Sequence, residues 1–189
     1  IILNLPNPQN RLGCRDLVLL SLLYDSAARS QELCDLCIGD IKFAKPTKIR
    51  LKGKGNKVRE IPISNEVSKL LKYHIEKNNS ERENPLFLSQ TKEKMTPACL
   101  RNLTNKYVGL GKIQNPELFN EPKYSPHSFR HSKAIHMLEA GTALIYIRNF
   151  LGHSSIQSTE IYARVSHQAI EKALANRKIP HLAPEKIPA

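Results

Sequence analysis

Residues 125–165, SPHSFRHSKAIHMLEAGTALIYIRNFLGHSSIQSTEIYARV, hold most of the chain's structural and chemical signal. Their apolar spacing predicts three helices, at 128–139, 142–150 and 154–162. His127 precedes Arg130 by three residues, and His153 precedes Tyr162 by nine. Because residues three apart share one side of a helix, His127 and Arg130 are expected to face the same region.

Apolar spacing predicts further helices outside this segment. They cover 12–25, 65–77, 96–108 and 166–176. A shorter helix is expected to begin near Ser30 as its N-cap, to present Leu33, Leu36 and Cys37 as its apolar face, and to close at Gly39. The charged stretch 77–84 and the segment 109–124 are expected to be irregular.

Two runs of alternating apolar and polar residues, 47–51 and 58–63, flank the basic, glycine-rich tip KGKGNK. This pattern is typical of a β-hairpin. A short third strand at 85–89 would complete a small sheet. The predicted fold is therefore mixed α/β and mainly helical, with a small antiparallel three-stranded β-sheet.

The composition indicates a polyanionic partner. The 189 residues include 29 lysines and arginines against 17 acidic residues, a formal charge of +12. Nucleic acid is the first candidate, while a solvated cationic surface or a ribosome-associated protein remain alternatives. No apolar run approaches the roughly 20 residues of a membrane span, so we expect no membrane partner and a cytoplasmic location.

Four cysteines raise the question of a metal or disulfide site. Cys34 and Cys37 form a CxxC pair within an apolar run that is predicted to be helical, and no second pair follows at zinc spacing. Buried free thiols in a reducing compartment are the favoured interpretation.

Five short motifs occur in a characteristic order: AARSQEL at 27–33, the hairpin tip, HSFRH at 127–131, LGH at 151–153, and Tyr162. Together they resemble the tyrosine recombinases, the phage-type integrases, closely over 125–165 and more loosely upstream to Leu17. The resemblance implies that chain and family share the catalytic-domain fold and six catalytic residues. These are Arg29, Lys54, His127, Arg130, His153 and Tyr162.

The chemistry of these side chains agrees with the resemblance. Cleavage of a phosphodiester by transesterification needs a nucleophile, stabilisation of the non-bridging oxygens, and a proton for the leaving 5′ oxygen. Arg29 and Arg130 can each offer a fork of donors to phosphate oxygens, so neither a metal nor another cofactor is expected. Glu32, one turn after Arg29, either orients that arginine or caps the helix.

The roles of the remaining candidates rest on the resemblance and on local context. It assigns Lys54 as general acid, with Lys52 and Lys57 as close rivals. His127 would accept the tyrosine proton or bond the phosphate, and His153 would precede a helix N-terminus that favours anions. The other histidines are expected to be structural; they are His74, His131, His136, His167 and His181.

The resemblance implies a site-specific DNA recombinase that forms a 3′-phosphotyrosyl intermediate through Tyr162, without metal or ATP. Strand relaxation of the type IB topoisomerase kind and a catalytically inactive DNA-binding module are the alternatives. The implied partners are double-stranded DNA, further copies of the chain in a tetramer on two DNA sites, and optional accessory DNA-bending proteins.

Domain organisation is also implied. Residues 1–165 would be the catalytic domain, and 166–189 a helix and tail that pack on their own domain or dock on a neighbouring protomer. Family members usually carry an N-terminal domain that clamps the other face of DNA, so we expect this sequence to be a fragment without it. Where the family often has glycine two residues before its arginine, this chain has Ala27, which we expect at a helix start.

Overall fold

The computed structural model describes residues 1–53, 55, 57–78 and 81–152. Within them the elements follow in the order α1 (Arg11–Ser26), α2 (Ser30–Cys34), β1 (Ile41–Lys42), β2 (Lys48–Lys52), β3 (Val58–Pro62), α3 (Asn65–Asn78), α4 (Pro97–Gln114), α5 (Pro126–Glu139) and α6 (Leu144–Leu151). The helices predicted at 154–162 and 166–176 and the tail that follows lie outside the described residues.

Helix α1 lies at the centre of the domain, because apolar residues occupy most of its circumference. The Asn10 side chain accepts a hydrogen bond from the Gly13 amide at 2.6 Å and so caps the helix start. Leu19, Leu20 and Leu22 are essentially inaccessible to solvent. The helix packs against α3 and α5, and the prediction of a buried helix over 12–25 is confirmed.

The turn after α1 differs from the expectation for Ala27. Ala27 follows the end of α1 with φ of 48°, in the left-handed region, and its amide donates to the Tyr24 carbonyl. The expectation that this alanine fits a helix start is therefore wrong. A non-glycine residue in this conformation carries a backbone cost of roughly 1–2 kcal/mol, and the sharp turn it makes delivers Arg29 to the start of α2.

The three strands form one antiparallel sheet in the order β1, β2, β3. The hairpin of β2 and β3 is confirmed, with Leu51 opposite Arg59 and Arg50 opposite Glu60. The third strand was placed wrongly, because Ile41–Lys42 pairs with β2 instead of 85–89. Residues 85–89 make only isolated bridges, and their apolar character reflects burial of Leu86 and Phe87 in the core.

Two helices have other lengths than the sequence predicts. Helix α2 has Arg29 as its N-cap in place of Ser30 and ends at Cys34, well before Gly39, which lies in a 3₁₀ turn. Helix α4 runs to Gln114, so 109–114 are helical. Gly111 fits this longer helix because the Phe119 ring lies against it, where an added β-carbon would be 2.5 Å from Cζ.

The cysteines follow the prediction only in part. Cys34 is buried at the end of α2, and burial raises the pKa of its thiol to about 11. Cys37 is half-buried and lies beyond the helix, so its predicted helical, buried position is wrong. Among the described residues, no helix combines the length and apolar character needed to cross a membrane.

Candidate active site

Three of the six predicted catalytic residues lie in the described part of the chain, and two of them are brought together. Arg29 and Arg130 meet at the C-terminal end of α6, and His127 lies in the first turn of α5. The other three, Lys54, His153 and Tyr162, lie outside the described residues.

Arg29 is held by Glu32 in two ways. Its backbone amide donates to Glu32 Oε2 at 2.8 Å, and its Nη1 donates to Oε1 at 3.0 Å. Glu32 therefore caps α2 and also orients the guanidinium, so both alternatives considered for it hold. The Arg29 side chain keeps 40% of its surface exposed, which leaves it accessible to an anion from solvent.

Arg130 joins the ends of two helices. Its side chain is buried, and its Nη1 donates to the Ala27 carbonyl at 2.6 Å while Nη2 donates to the Leu151 carbonyl at 2.5 Å. The sequence predicted a fork for phosphate oxygens, and these bonds to carbonyls were not foreseen. They use two of the five N–H groups of a guanidinium and tie the C-terminal ends of α1 and α6 together.

Gly152 is the point on which both arginines converge. It terminates α6 in the left-handed conformation, with φ of 64°, and its carbonyl accepts a bond of 3.2 Å from Arg29 Nη2. The preceding carbonyl is the one that Arg130 bonds. Cationic groups at a helix C-terminus satisfy its last carbonyls and its dipole. The next residue along the chain is His153, so the LGH motif is anchored by the two arginines at its first two residues.

Arg59 belongs to this region and was missed by the sequence analysis. From β3 its Nη1 and Nη2 donate to Glu32 Oε1 and Oε2 at 2.6 and 2.7 Å. A β-carbon added to Gly152 would lie only 3.1 Å from Arg59 Cδ. One signal was present in the sequence: Arg59 occupies the same alternating positions as the inward-facing Ile61 and Ile63, where a charged residue needs a buried partner.

We call Arg29, Arg59, Arg130 and Glu32 the arginine cluster. Burial alone would raise the pKa of Glu32, but hydrogen bonds from Arg59 and from the Arg29 backbone outweigh it and hold the pKa below its ordinary value. Glu32 is thus ionised at neutral pH. The cluster holds three guanidinium groups and one carboxylate, which Arg29 and Arg59 share, so it keeps an excess of positive charge and is suited to a phosphate.

His127 is exposed at the surface, and Arg130 one turn later points into the protein. Ser125 is the N-cap of α5, and its backbone amide donates to Ser128 Oγ at 3.1 Å. Among the histidines predicted to be structural, His74 is buried against the Leu86 carbonyl at 3.1 Å, and burial lowers its pKa. His136 Nδ1 lies 2.8 Å from the Tyr24 hydroxyl. His167 and His181 lie outside the described residues.

Lys52 and Lys57 flank the hairpin tip at one end of the sheet. The Gly53 amide donates to the Lys57 carbonyl at 2.8 Å, which closes the tip. Lys52 and Lys57, the rivals of Lys54, are both exposed. Gly53 also lies close to Glu32, since a β-carbon there would be 3.2 Å from Oε1. The residue before Lys54 is therefore in contact with the arginine cluster.

Comparison with known proteins places these features in context. Residues 2–169 match the model of the phage integrase family. The tyrosine recombinase XerC of Syntrophus aciditrophicus is 33% identical over 175 residues, which cover 88% of this chain and 54% of that protein. The tyrosine recombinase XerA of Pyrococcus horikoshii is 36% identical over 174 residues, which cover 87% of this chain and 55% of that protein. This chain spans about half the length of these relatives.

Solved structures show the same fold. The XerH site-specific recombinase bound to palindromic difH substrate, in a post-cleavage complex, matches with a TM-score of 0.74 and 24% identity, over 87% of this chain and 46% of that one. The XerA recombinase matches with a TM-score of 0.67 and 25% identity, over 87% of this chain and 58% of that one. The mainly helical fold with a small antiparallel sheet is thereby confirmed.

Proposed function

The chain belongs to the phage integrase family, and from this we propose that it is the catalytic part of a site-specific tyrosine recombinase that cleaves and rejoins double-stranded DNA. One observation carries the proposal. Arg29 and Arg130, from distant parts of the sequence, donate to consecutive carbonyls directly before His153. Relatives that are named tyrosine recombinases favour this activity over topoisomerase-like strand relaxation.

The proposed reaction is a transesterification at phosphorus. The hydroxyl oxygen of Tyr162 attacks the phosphorus atom, the bond to the 5′ oxygen breaks, and a 3′-phosphotyrosyl ester and a 5′ hydroxyl result. The tyrosine proton goes to a base, for which His127 is our candidate, and Lys54 supplies a proton to the leaving oxygen. Attack by a 5′ hydroxyl of another strand reverses these steps, so the ester is conserved and no ATP is consumed.

Charge compensation is assigned to the arginine cluster. Negative charge grows on the non-bridging oxygens as the phosphorus becomes five-coordinate, and donors placed in advance at that point lower the barrier. Arg29 is accessible for this role because 40% of its side chain is exposed. Arg130 would also compensate this charge, in addition to holding α1 and α6 together. His153 is assigned a further bond to the phosphate, and no metal is required.

The assembly is part of the proposal. We assign double-stranded DNA and a tetramer on two DNA sites as the working complex, with accessory DNA-bending proteins as optional partners in the prokaryotic cytoplasm. Residues 166–189 are proposed to dock on a neighbouring protomer. Deleting them should then impair assembly on paired sites in a native gel and leave binding to one half-site unchanged, whereas equal loss on both would show that they belong to their own domain's core.

The experiment that tests the function starts from a library of randomised duplexes, since the reaction itself can select its substrate. Covalent protein–DNA adducts are recovered after denaturation and sequenced, and the enriched sequence is rebuilt with a nick beside the cleavage position. We call this the selected nicked duplex. The proposal predicts an adduct that resists detergent, is removed by protease, and is accompanied by a 5′ hydroxyl. DNA binding without any adduct would show an inactive binding module.

A further inference from the structure

We propose that Arg59 is a positioning residue that acts through Glu32 to hold Arg29 in the orientation needed for phosphate binding. This inference rests on the proposed function and deepens it. Arg59 itself is set back from the surface, because only 16% of its side chain is exposed, against 40% for Arg29. Arg59 therefore influences the phosphate through another residue.

Each carboxylate oxygen of Glu32 is shared between the two arginines. Oε1 accepts from Arg59 Nη1 at 2.6 Å and from Arg29 Nη1 at 3.0 Å. Oε2 accepts from Arg59 Nη2 at 2.7 Å and from the Arg29 amide at 2.8 Å. A two-point bond from a planar guanidinium fixes the plane of a carboxylate. Arg59 thereby sets the direction in which Glu32 meets Arg29.

The same contacts link Arg59 to the end of α6. Gly152 lies against the Arg59 side chain. A β-carbon added to Gly152 would be 3.1–3.2 Å from Cδ, Nε and Nη1 of Arg59, so the space suits only a hydrogen atom. The Gly152 carbonyl in turn accepts from Arg29. A closed ring of contacts results, from Arg29 to Glu32, to Arg59, to Gly152 and back to Arg29. Displacement of Arg59 would release two of the supports of Arg29 at once.

Stability alone gives little reason for an arginine at this position. An apolar pair in place of both partners of a buried ion pair is often no less stable, and the same face of β3 continues with Ile61 and Ile63. Within the described residues, the buried Nε of Arg59 has no hydrogen-bond partner. Apolar side chains at both 59 and 32 would avoid that unsatisfied donor and the burial of a charge. We therefore attribute the arginine at position 59 to its role in orienting Arg29 through Glu32.

The first test compares Arg59→Met with a matched control, Arg50→Met. Arg50 lies on the adjacent strand and also donates twice to a carboxylate, that of Asp40, but on the outer face of the sheet with 46% of its side chain exposed. On the selected nicked duplex at saturating protein, Arg59→Met should form the adduct about 100-fold more slowly, as expected for a misplaced catalytic group. Arg50→Met should match the wild type, and both should bind DNA as tightly as it does.

The second test uses a duplex in which a methylphosphonate replaces the scissile phosphate. The neutral group has no non-bridging charge for Arg29 to compensate. If Arg59 acts through Arg29, the difference in rate between Arg59→Met and the wild type should shrink toward unity on this duplex. The double variant Arg29→Ala/Arg59→Met should likewise react no more slowly than Arg29→Ala alone, because the target of Arg59 is already gone.

The outcomes separate this inference from the proposed function. If the wild type forms no adduct, the function fails. If the wild type reacts and the rates of Arg59→Met and Arg50→Met are equal, Arg59 is not positioning Arg29. The same conclusion follows if Arg59→Met is slowed by the same factor, relative to the wild type, on both duplexes. Should Arg59→Met show no cooperative melting, Arg59→Lys and Arg50→Lys take the place of the pair, since lysine keeps the charge but cannot bond both oxygens in one plane.

Discussion

Replacing Gly152 with alanine should damage both the backbone and the arginine cluster. Gly152 has φ of 64°, where an alanine costs roughly 1–2 kcal/mol. For a domain of this size, each kcal/mol lowers the melting temperature by about 2–4 °C, which gives a loss of about 2–8 °C. The new β-carbon would also lie 3.1 Å from Arg59 Cδ and 3.2 Å from its Nε and Nη1, so Arg59 must shift by a few tenths of an ångström.

Gly141→Ala is the control for the backbone effect. Gly141 also has positive φ, 82°, but an added β-carbon there would meet nothing within 4 Å. Both variants should therefore lower the melting temperature in a thermal scan, Gly152→Ala by at least as much as Gly141→Ala. Only Gly152→Ala should slow adduct formation on the selected nicked duplex, by a factor on the order of ten, because Arg59 and Arg29 are bonded to the same carboxylate. Equal reaction rates for the two variants would refute the link between Gly152 and the cluster.

Three further predictions follow from the site. Adduct formation should be unchanged in EDTA, because guanidinium groups compensate the phosphate charge; a rate that falls in chelator and returns with Mg²⁺ would contradict this. The pKa of Glu32 lies below its ordinary 4.5, so its stabilisation is complete above that value and is lost as the pH falls through the lower folded-state pKa. The melting temperature of Glu32→Gln should fall less in acid than that of the wild type, and equal falls in the two proteins would contradict this role of Glu32. Arg130→Ala should lower the free energy of unfolding in urea by about 2–6 kcal/mol, since two buried carbonyls lose their donors, and an unchanged midpoint would contradict the role at Ala27 and Leu151.

Local sequence patterns predicted most of the described fold. Helix α1 and the hairpin are confirmed because their apolar periods, of helix and strand type, extend over several residues. The errors arose where distant contacts decide. The strand Ile41–Lys42 is too short to show alternation, and the glycine at position 111 within α4 is explained by the Phe119 ring packed against it. Neither cause is visible within a window of neighbouring residues.

In the candidate site too, local motifs predicted some residues and distant contacts decided the others. Arg29 and Arg130 were identified by motif, and the structure brings them together at α6. The partnership of Arg59 with Glu32 joins residues 27 positions apart, and no local motif records it. The bonds of Arg130 to carbonyls depend on where α1 and α6 end, which the sequence places only approximately. Motifs thus identify the residues that we propose to contact the phosphate, and the packing identifies those that hold them.

The proposed reaction joins Tyr162 covalently to DNA. Adduct formation on the selected nicked duplex should vanish in Tyr162→Phe, which removes a single oxygen, while binding in a native gel is retained. Tyr146→Phe is the control, because Tyr146 is exposed on α6 and is the most accessible rival among the described tyrosines. Tyr146→Phe should react like the wild type, and mass spectrometry of the digested adduct should find the nucleotide on Tyr162. An adduct that persists in Tyr162→Phe would contradict it.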